Sequence, residues 1–149
     1  MISVYDEGGL LTALQKGRLQ KAAALALNSE GLLGCLDISV VDRSSIRLLN
    51  LTNRGIDEET DVLSFPTVES GQIPEDGFWG DVVICPEYIK TQAELSGKKL
   101  ILELALLVIH GVLHLMGYDH SACEDEARMF RAQRQILEKV GFDYEADDS

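Results

Sequence analysis

The period of hydrophobic and polar positions changes several times along the chain, and each change marks an element. Ile2 and Val4 alternate with polar neighbours and predict a short first strand. Residues 9–28 are rich in Ala and Leu and predict a helix; residues 35–41, Cys-Leu-Asp-Ile-Ser-Val-Val, predict a strand. Asp42 or Ser44 stands where a cap belongs, ahead of a helix that carries Ile46, Leu48, Leu49 and Leu51 and stops at Gly55. Residues 61–66 read as a strand closed by Pro66, and residues 66–80, with three glycines, two prolines and Trp79, as a polar loop. A short apolar strand over 81–85 follows. Pro86 then occupies the first position of a helix that ends near Gly97. A long apolar helix runs from Lys98 to a stop at Gly117. Ser121 and Glu124 form a capping box for a last helix over 122–139, and the acidic tail from Asp143 is expected to fray. Short strands interleaved with helices predict an α+β fold in one domain, residues 1–149. A small mixed sheet is packed by helices, and the pattern leaves open which strands run antiparallel.

Composition narrows the function classes. The 149 residues are 46% hydrophobic, which excludes disorder as the main state. A formal net charge of −12 excludes a generally basic nucleic-acid binder, so any RNA contact must use a local patch. Cys35, Cys85 and Cys123 are odd in number and show no paired spacing, which points to a reducing, cytoplasmic setting. The start, Met1 to Asp6, has neither the charged nor the apolar region of a signal peptide. The most apolar stretch, residues 100–116, carries Glu103, His110 and His114; it predicts a buried core helix rather than a membrane span.

All three histidines of the chain lie in His-Gly-Val-Leu-His-Leu-Met-Gly-Tyr-Asp-His, residues 110–120. His110 and His114 are one helical turn apart, about 6 Å along the axis, so both imidazoles leave the same face and can bind one metal ion. A straight helix would carry His120 about 15 Å from His110. The chain must therefore break between them, and Gly117 sits where a helix end takes a left-handed residue. Three histidine ligands leave the fourth position of a tetrahedral Zn²⁺ open, the arrangement of a catalytic site. Cys123 as a fourth ligand would instead close the site and make it structural. The spacing matches the metzincin protease signature except that Gly111 replaces the glutamate general base. Asp119, beside a ligand, is a candidate replacement base, but reads first as a carboxylate that orients a histidine. Glu103, two turns before His110, is too distant to share the ion and reads as a buried polar contact.

With its upstream segments, the histidine motif resembles the YbeY family of metal-dependent endoribonucleases, the rRNA maturation factors. The segments are Asn50-Leu-Thr-Asn-Arg54-Gly, Thr60-Asp-Val-Leu-Ser-Phe-Pro66 and Gly80-Asp-Val-Val-Ile84, so the resemblance covers about half the chain. It implies a zincin-like fold and one metal ion, zinc or nickel, held by His110, His114 and His120. It also implies cleavage of single-stranded RNA, in small-subunit rRNA maturation and ribosome quality control. RNA and the small ribosomal subunit are then the expected partners. The family's functional arginine falls on Arg54, whose guanidinium suits the charge that develops on phosphoryl oxygens; His114 is the second residue expected to be catalytic. Asn53 stands where many members have an aromatic residue, and Cys85 where a serine is frequent. Ser64 and Asp81 match family segments too, and read locally as a strand-end hydrogen bond and turn geometry.

Two readings of other classes remain beside this one: a zinc peptidase, which would need a replacement base, and a non-catalytic ribosome-assembly factor with a structural metal. The acidity is uneven. Residues 100–149 hold ten acidic and four basic residues, whereas residues 8–29 hold Lys16, Arg18 and Lys21 and no acid. Joined by Arg43, Arg47 and Arg54, these three are the expected RNA path.

Overall fold

A computed structural model describes residues 1–118 and 123–145, with the backbone alone for residues 123, 124 and 141–145. Its elements are β1 (Ile2–Tyr5), α1 (Ala13–Asn28), β2 (Cys35–Val40), α2 (Arg43–Arg54), β3 (Val62–Pro66), β4 (Phe78–Ile84), α3 (Pro86–Ser96), α4 (Leu100–Leu115) and α5 (Cys123–Glu145). The sheet has the order β1-β2-β4-β3. The first three of these strands are parallel, and β3 pairs antiparallel with β4 as an edge. The fold is the expected α+β arrangement with a small mixed sheet.

Strand alternation divides the helices between the two faces of the sheet. Leu36, Ile38 and Val40 of β2, with Val82 and Ile84 of β4, face the main core formed with α1, α4 and α5. Leu63 and Val83 point the other way and pack on Ile46 of α2. Helix α4 is central: nine of its residues are buried, and it touches α1, α3, α5, β3 and β4. No described helix is long and apolar enough to cross a membrane.

Three boundaries differ from the sequence expectation, each for a local reason. Helix α1 begins at Ala13 rather than residue 9, because the Asp6 carboxylate accepts the Leu10 and Leu11 amides at 2.9 Å each and holds that segment in a loop. Thr12 then starts the helix through a reciprocal capping box with Gln15. Strand β4 begins at Phe78 and takes in Trp79. Cys35 faces Phe78 while Asp37 faces Asp81, so β4 carries one extra residue, a bulge at Trp79–Gly80. The bulge turns Trp79 into the main core, where the ring is 1% exposed and its indole N–H donates to Leu33 O at 3.1 Å. Helix α5 continues to Glu145, six residues past the expected end. The Ser121 cap lies outside the described residues.

The Asp6 side chain is 1% exposed and has Lys16 Nζ at 3.7 Å as its counter-ion. Replacing it with alanine orphans two amides and removes a charge-assisted contact. Asp6→Ala is therefore expected to lower unfolding stability by about 2 kcal/mol in urea titrations.

Candidate metal centre and cleft

Helix α4 presents Glu103, Leu107, His110 and His114 as one half-buried stripe at helical spacing. It can lie close to the sheet there because residue 111 has no side chain. A Cβ on Gly111 would stand 2.7 Å from Val82 Cγ1 and 3.1 Å from Ser64 Oγ. Ser64 in turn donates to Gly111 O at 3.0 Å, which ties the edge strand β3 to α4 beside the histidines. A glutamate at 111, as in the metzincins, would have to force the helix off the sheet. The general base of a peptidase is therefore excluded from that position by packing as well as by identity.

The helix stops where Gly117 was expected to stop it. Gly117 N–H donates to His114 O and Tyr118 N–H to Leu113 O, both at 3.0 Å, with Gly117 at φ 98°. These are the two hydrogen bonds of a Schellman motif, which turns the chain away from the helix axis directly after His114. Ser70 Oγ closes on Gly117 O at 3.0 Å.

His110 Nε2 and His114 Nε2 converge to 3.0 Å. The His110 Nδ1–H donates to Gln133 Oε1 of α5 at 2.5 Å, which leaves Nε2 as the unprotonated, electron-donating nitrogen. Two imidazole nitrogens at that separation fit a first-row divalent ion, whose bonds to nitrogen are about 2.0–2.1 Å long. The donor set suits zinc or nickel better than a hard, oxygen-seeking cation. Gln133 was not singled out from the sequence, although a signal existed. It interrupts the buried stripe Met129, Ile136 and Val140 at helical spacing, as a polar side chain only 5% exposed. His120, Asp119 and Ser121 lie outside the described residues, as does the side chain of Cys123.

Arg54 shares a cleft of about 550 Å³ with both histidines, walled by Asn53 and by Ser64 to Pro66 of β3. It ends α2, on the opposite face of the sheet from α4, and both helices reach past the edge strand to meet there. Arg54 is exposed and forms no ion pair among the described residues. Arg43 is held by Glu59 and Arg47 by Asp57, at 2.9 and 2.8 Å. The cleft brings together the residues expected to be catalytic.

Other expectations change. Asp81 lies in mid-strand rather than in a turn, on the face away from the histidines and in register with Asp37. Burial, and then the Asp37 charge, push its carboxyl above the usual carboxylate range. Glu103 is partly exposed and paired with Lys98 at 3.9 Å, not a buried contact. Helices α1 and α2 pack on opposite faces of the sheet, so the Lys16, Arg18 and Lys21 group does not continue into the α2 arginines. Asn53, at the aromatic position of the family, donates back to Leu49 O one turn earlier in its own helix, at 2.9 Å.

Comparison with known proteins places the chain in a family. Residues 11–141 match the sequence family described as Endoribonuclease YbeY. The chain is 44% identical over 147 residues to Endoribonuclease YbeY of Mycobacterium sp. (strain KMS), covering 93% of this chain and 82% of the relative. The same-named protein of Bacillus velezensis is 34% identical over 150 residues, covering 95% and 96%. The solution structure of TM1509 from Thermotoga maritima superimposes with a TM-score of 0.71 at 28% identity, over 98% of this chain and 93% of that one.

Gly111→Ala forces a methyl group into β4. Loss of about 1–3 kcal/mol of stability is expected, measured as a lower midpoint in chemical denaturation with an unchanged slope.

Proposed function

This chain belongs to the YbeY family of endoribonucleases, and from that premise we propose that it cleaves single-stranded RNA in the cleft between Arg54 and the histidines. The proposal extends to maturation of small-subunit rRNA and ribosome quality control in the cytoplasm, with the small ribosomal subunit as partner. The observation that carries it is the meeting, in one cleft, of two convergent imidazoles and a guanidinium with no ion pair among the described residues.

His110, His114 and His120 would hold one Zn²⁺ or nickel ion, which when bound supplies a Lewis acid for a phosphoryl oxygen at neutral pH. Gln133 keeps the His110 ring in the tautomer and orientation that direct Nε2 into the cleft. Arg54 offers two parallel N–H donors to the non-bridging oxygens, where negative charge grows as the phosphodiester is attacked. Its donors are available because no carboxylate among the described residues engages them, unlike those of Arg43 and Arg47. The β3 backbone and Ser64 fix the cleft wall rather than the chemistry, since the Ser64 hydroxyl is committed to Gly111 O. A peptidase reading rests on the histidine spacing alone. Gly111 is packed against the sheet, and the described cleft contains no carboxylate that could act as base.

The decisive experiment is RNA cleavage by protein of known metal content. Chelation and His114→Ala are each expected to abolish cleavage, and Arg54→Ala to lower kcat by about 100-fold with metal content unchanged. Wild-type turnover in Arg54→Ala would remove its assigned role. Gln133→Leu is expected to weaken zinc binding by about 10–100-fold in competition with a chromophoric chelator, a measurement independent of activity.

A further inference from the structure

The four basic residues of the last third of the chain, Arg128, Arg131, Arg134 and Lys139, all lie on α5. Three of them share one face. Arg128, Arg131 and Lys139 follow the spacing i, i+3, i+11, so that they line one groove with Gln135 and Ile136. The stripe is about 16 Å long. Arg131 and Lys139 are exposed and form no ion pair among the described residues. The Arg128 guanidinium lies over the Tyr118 ring, 4.8 Å from its centroid, and the Tyr118 hydroxyl donates to Glu30, the one carboxylate among the described residues that line the groove.

A series of neighbouring depressions links this groove to the cleft through shared wall residues. Pro66 and His114 wall both the Arg54 cleft and the depression beside it. That depression shares Ser70, Gly117 and Tyr118 with the next, and Tyr118 and Arg128 open into the α5 groove. Cations therefore stand at both ends of a single track, Arg54 at one and α5 at the other, with the histidines between. Against a global charge of −12, three basic side chains with no ion pair among the described residues line this groove, an arrangement that suits the repeating charge of a polynucleotide strand.

We propose that the α5 face bearing Arg128, Arg131 and Lys139 is the docking surface for the RNA strand on the far side of the scissile bond, holding its phosphates while Arg54 holds the phosphate that reacts. The proposal rests on the endoribonuclease reading above. It replaces the path across α1 and α2 with one along the same side of the molecule as α4. Tyr118 marks its turn, since a purine or pyrimidine leaving the cleft meets an aromatic ring there.

The test compares Arg131→Ala/Lys139→Ala with Arg47→Ala/Arg134→Ala. The two double variants change net charge equally, and the second touches no residue of the α5 groove. The probe is a fluorescein-labelled single-stranded RNA of about 12 nucleotides, 2′-O-methylated for anisotropy and unmodified for cleavage. The groove variant is expected to bind about 10-fold more weakly, with the slope of log affinity against log salt shallower by about 1.4. In cleavage its KM should rise with kcat within about twofold of wild type, and the control should match wild type in every measurement. Equal weakening in both variants would reduce the effect to net charge and overturn the proposal. Wild-type affinity and slope in the groove variant would overturn it as well. Absence of cleavage by the metal-loaded wild type would sink the endoribonuclease reading instead, while the anisotropy arm still decides the groove.

Discussion

The close approach of α4 to the sheet at Gly111 is the contact on which the rest of the site depends. Val82 and Ser64 occupy the space a side chain would take, so the helix axis sits near the edge strand β3. His110 then stands over that edge instead of over solvent. One turn later His114 does the same, and the Schellman turn at Gly117 ends the helix before it can carry the chain away from the site. A helix raised by even one methyl group would lift both imidazoles relative to β3 and to Arg54. Small residues at helix–sheet contacts are usually read as packing; here the packing sets the height of the two histidines above the cleft floor.

Charge in this molecule is sorted rather than diluted. Arg43 and Arg47 are spent on Glu59 and Asp57, where they fasten the segment after α2 back onto the helix. Arg54, two turns further on, meets no such partner among the described residues and lines the cleft. Elsewhere Asp37 and Asp81 lie side by side on the sheet face away from the histidines, and that proximity helps raise the Asp81 pKa. An acidic protein can thus act on a polyanion where cations with no ion pair among the described residues line its cleft. The overall charge then restricts indiscriminate binding without preventing recognition of a strand that reaches the groove.

Much of this was legible in the chain because the relevant signals are short-ranged. Asp42 and Gly55 bound α2, Pro86 and Gly97 bound α3, and Gly117 ends α4, each through hydrogen bonds spanning only a few residues. The elements misread were those whose limits depend on distant partners. Trp79 sits in a strand because β2 pairs past a bulge and Leu33 accepts its indole N–H, neither of which its neighbours in sequence reveal. The first residues assigned to α1 are held out of it by Asp6, a carboxylate from the end of the preceding strand. Gln133 was overlooked for a different reason: a buried polar residue on a helix is conspicuous only once its partner is known.

The sequence by itself determined the histidine pair proposed to bind metal and the turn that follows it, since the offset of four and the glycine stop are properties of one helix and its end. It also carried the family membership, through segments spread from residue 50 to residue 120. Only the tertiary structure decided what those histidines meet. Gln133 reaches His110 from 23 residues away, and Arg54 reaches the same cleft from the other face of the sheet. It also separated the α1 and α2 cations, which the linear order had joined, and aligned the α5 cations with the cleft. The physical reason is range. Helical periodicity and capping act within a turn or two, whereas the order β1-β2-β4-β3 and the face each helix takes depend on burial shared by the whole chain.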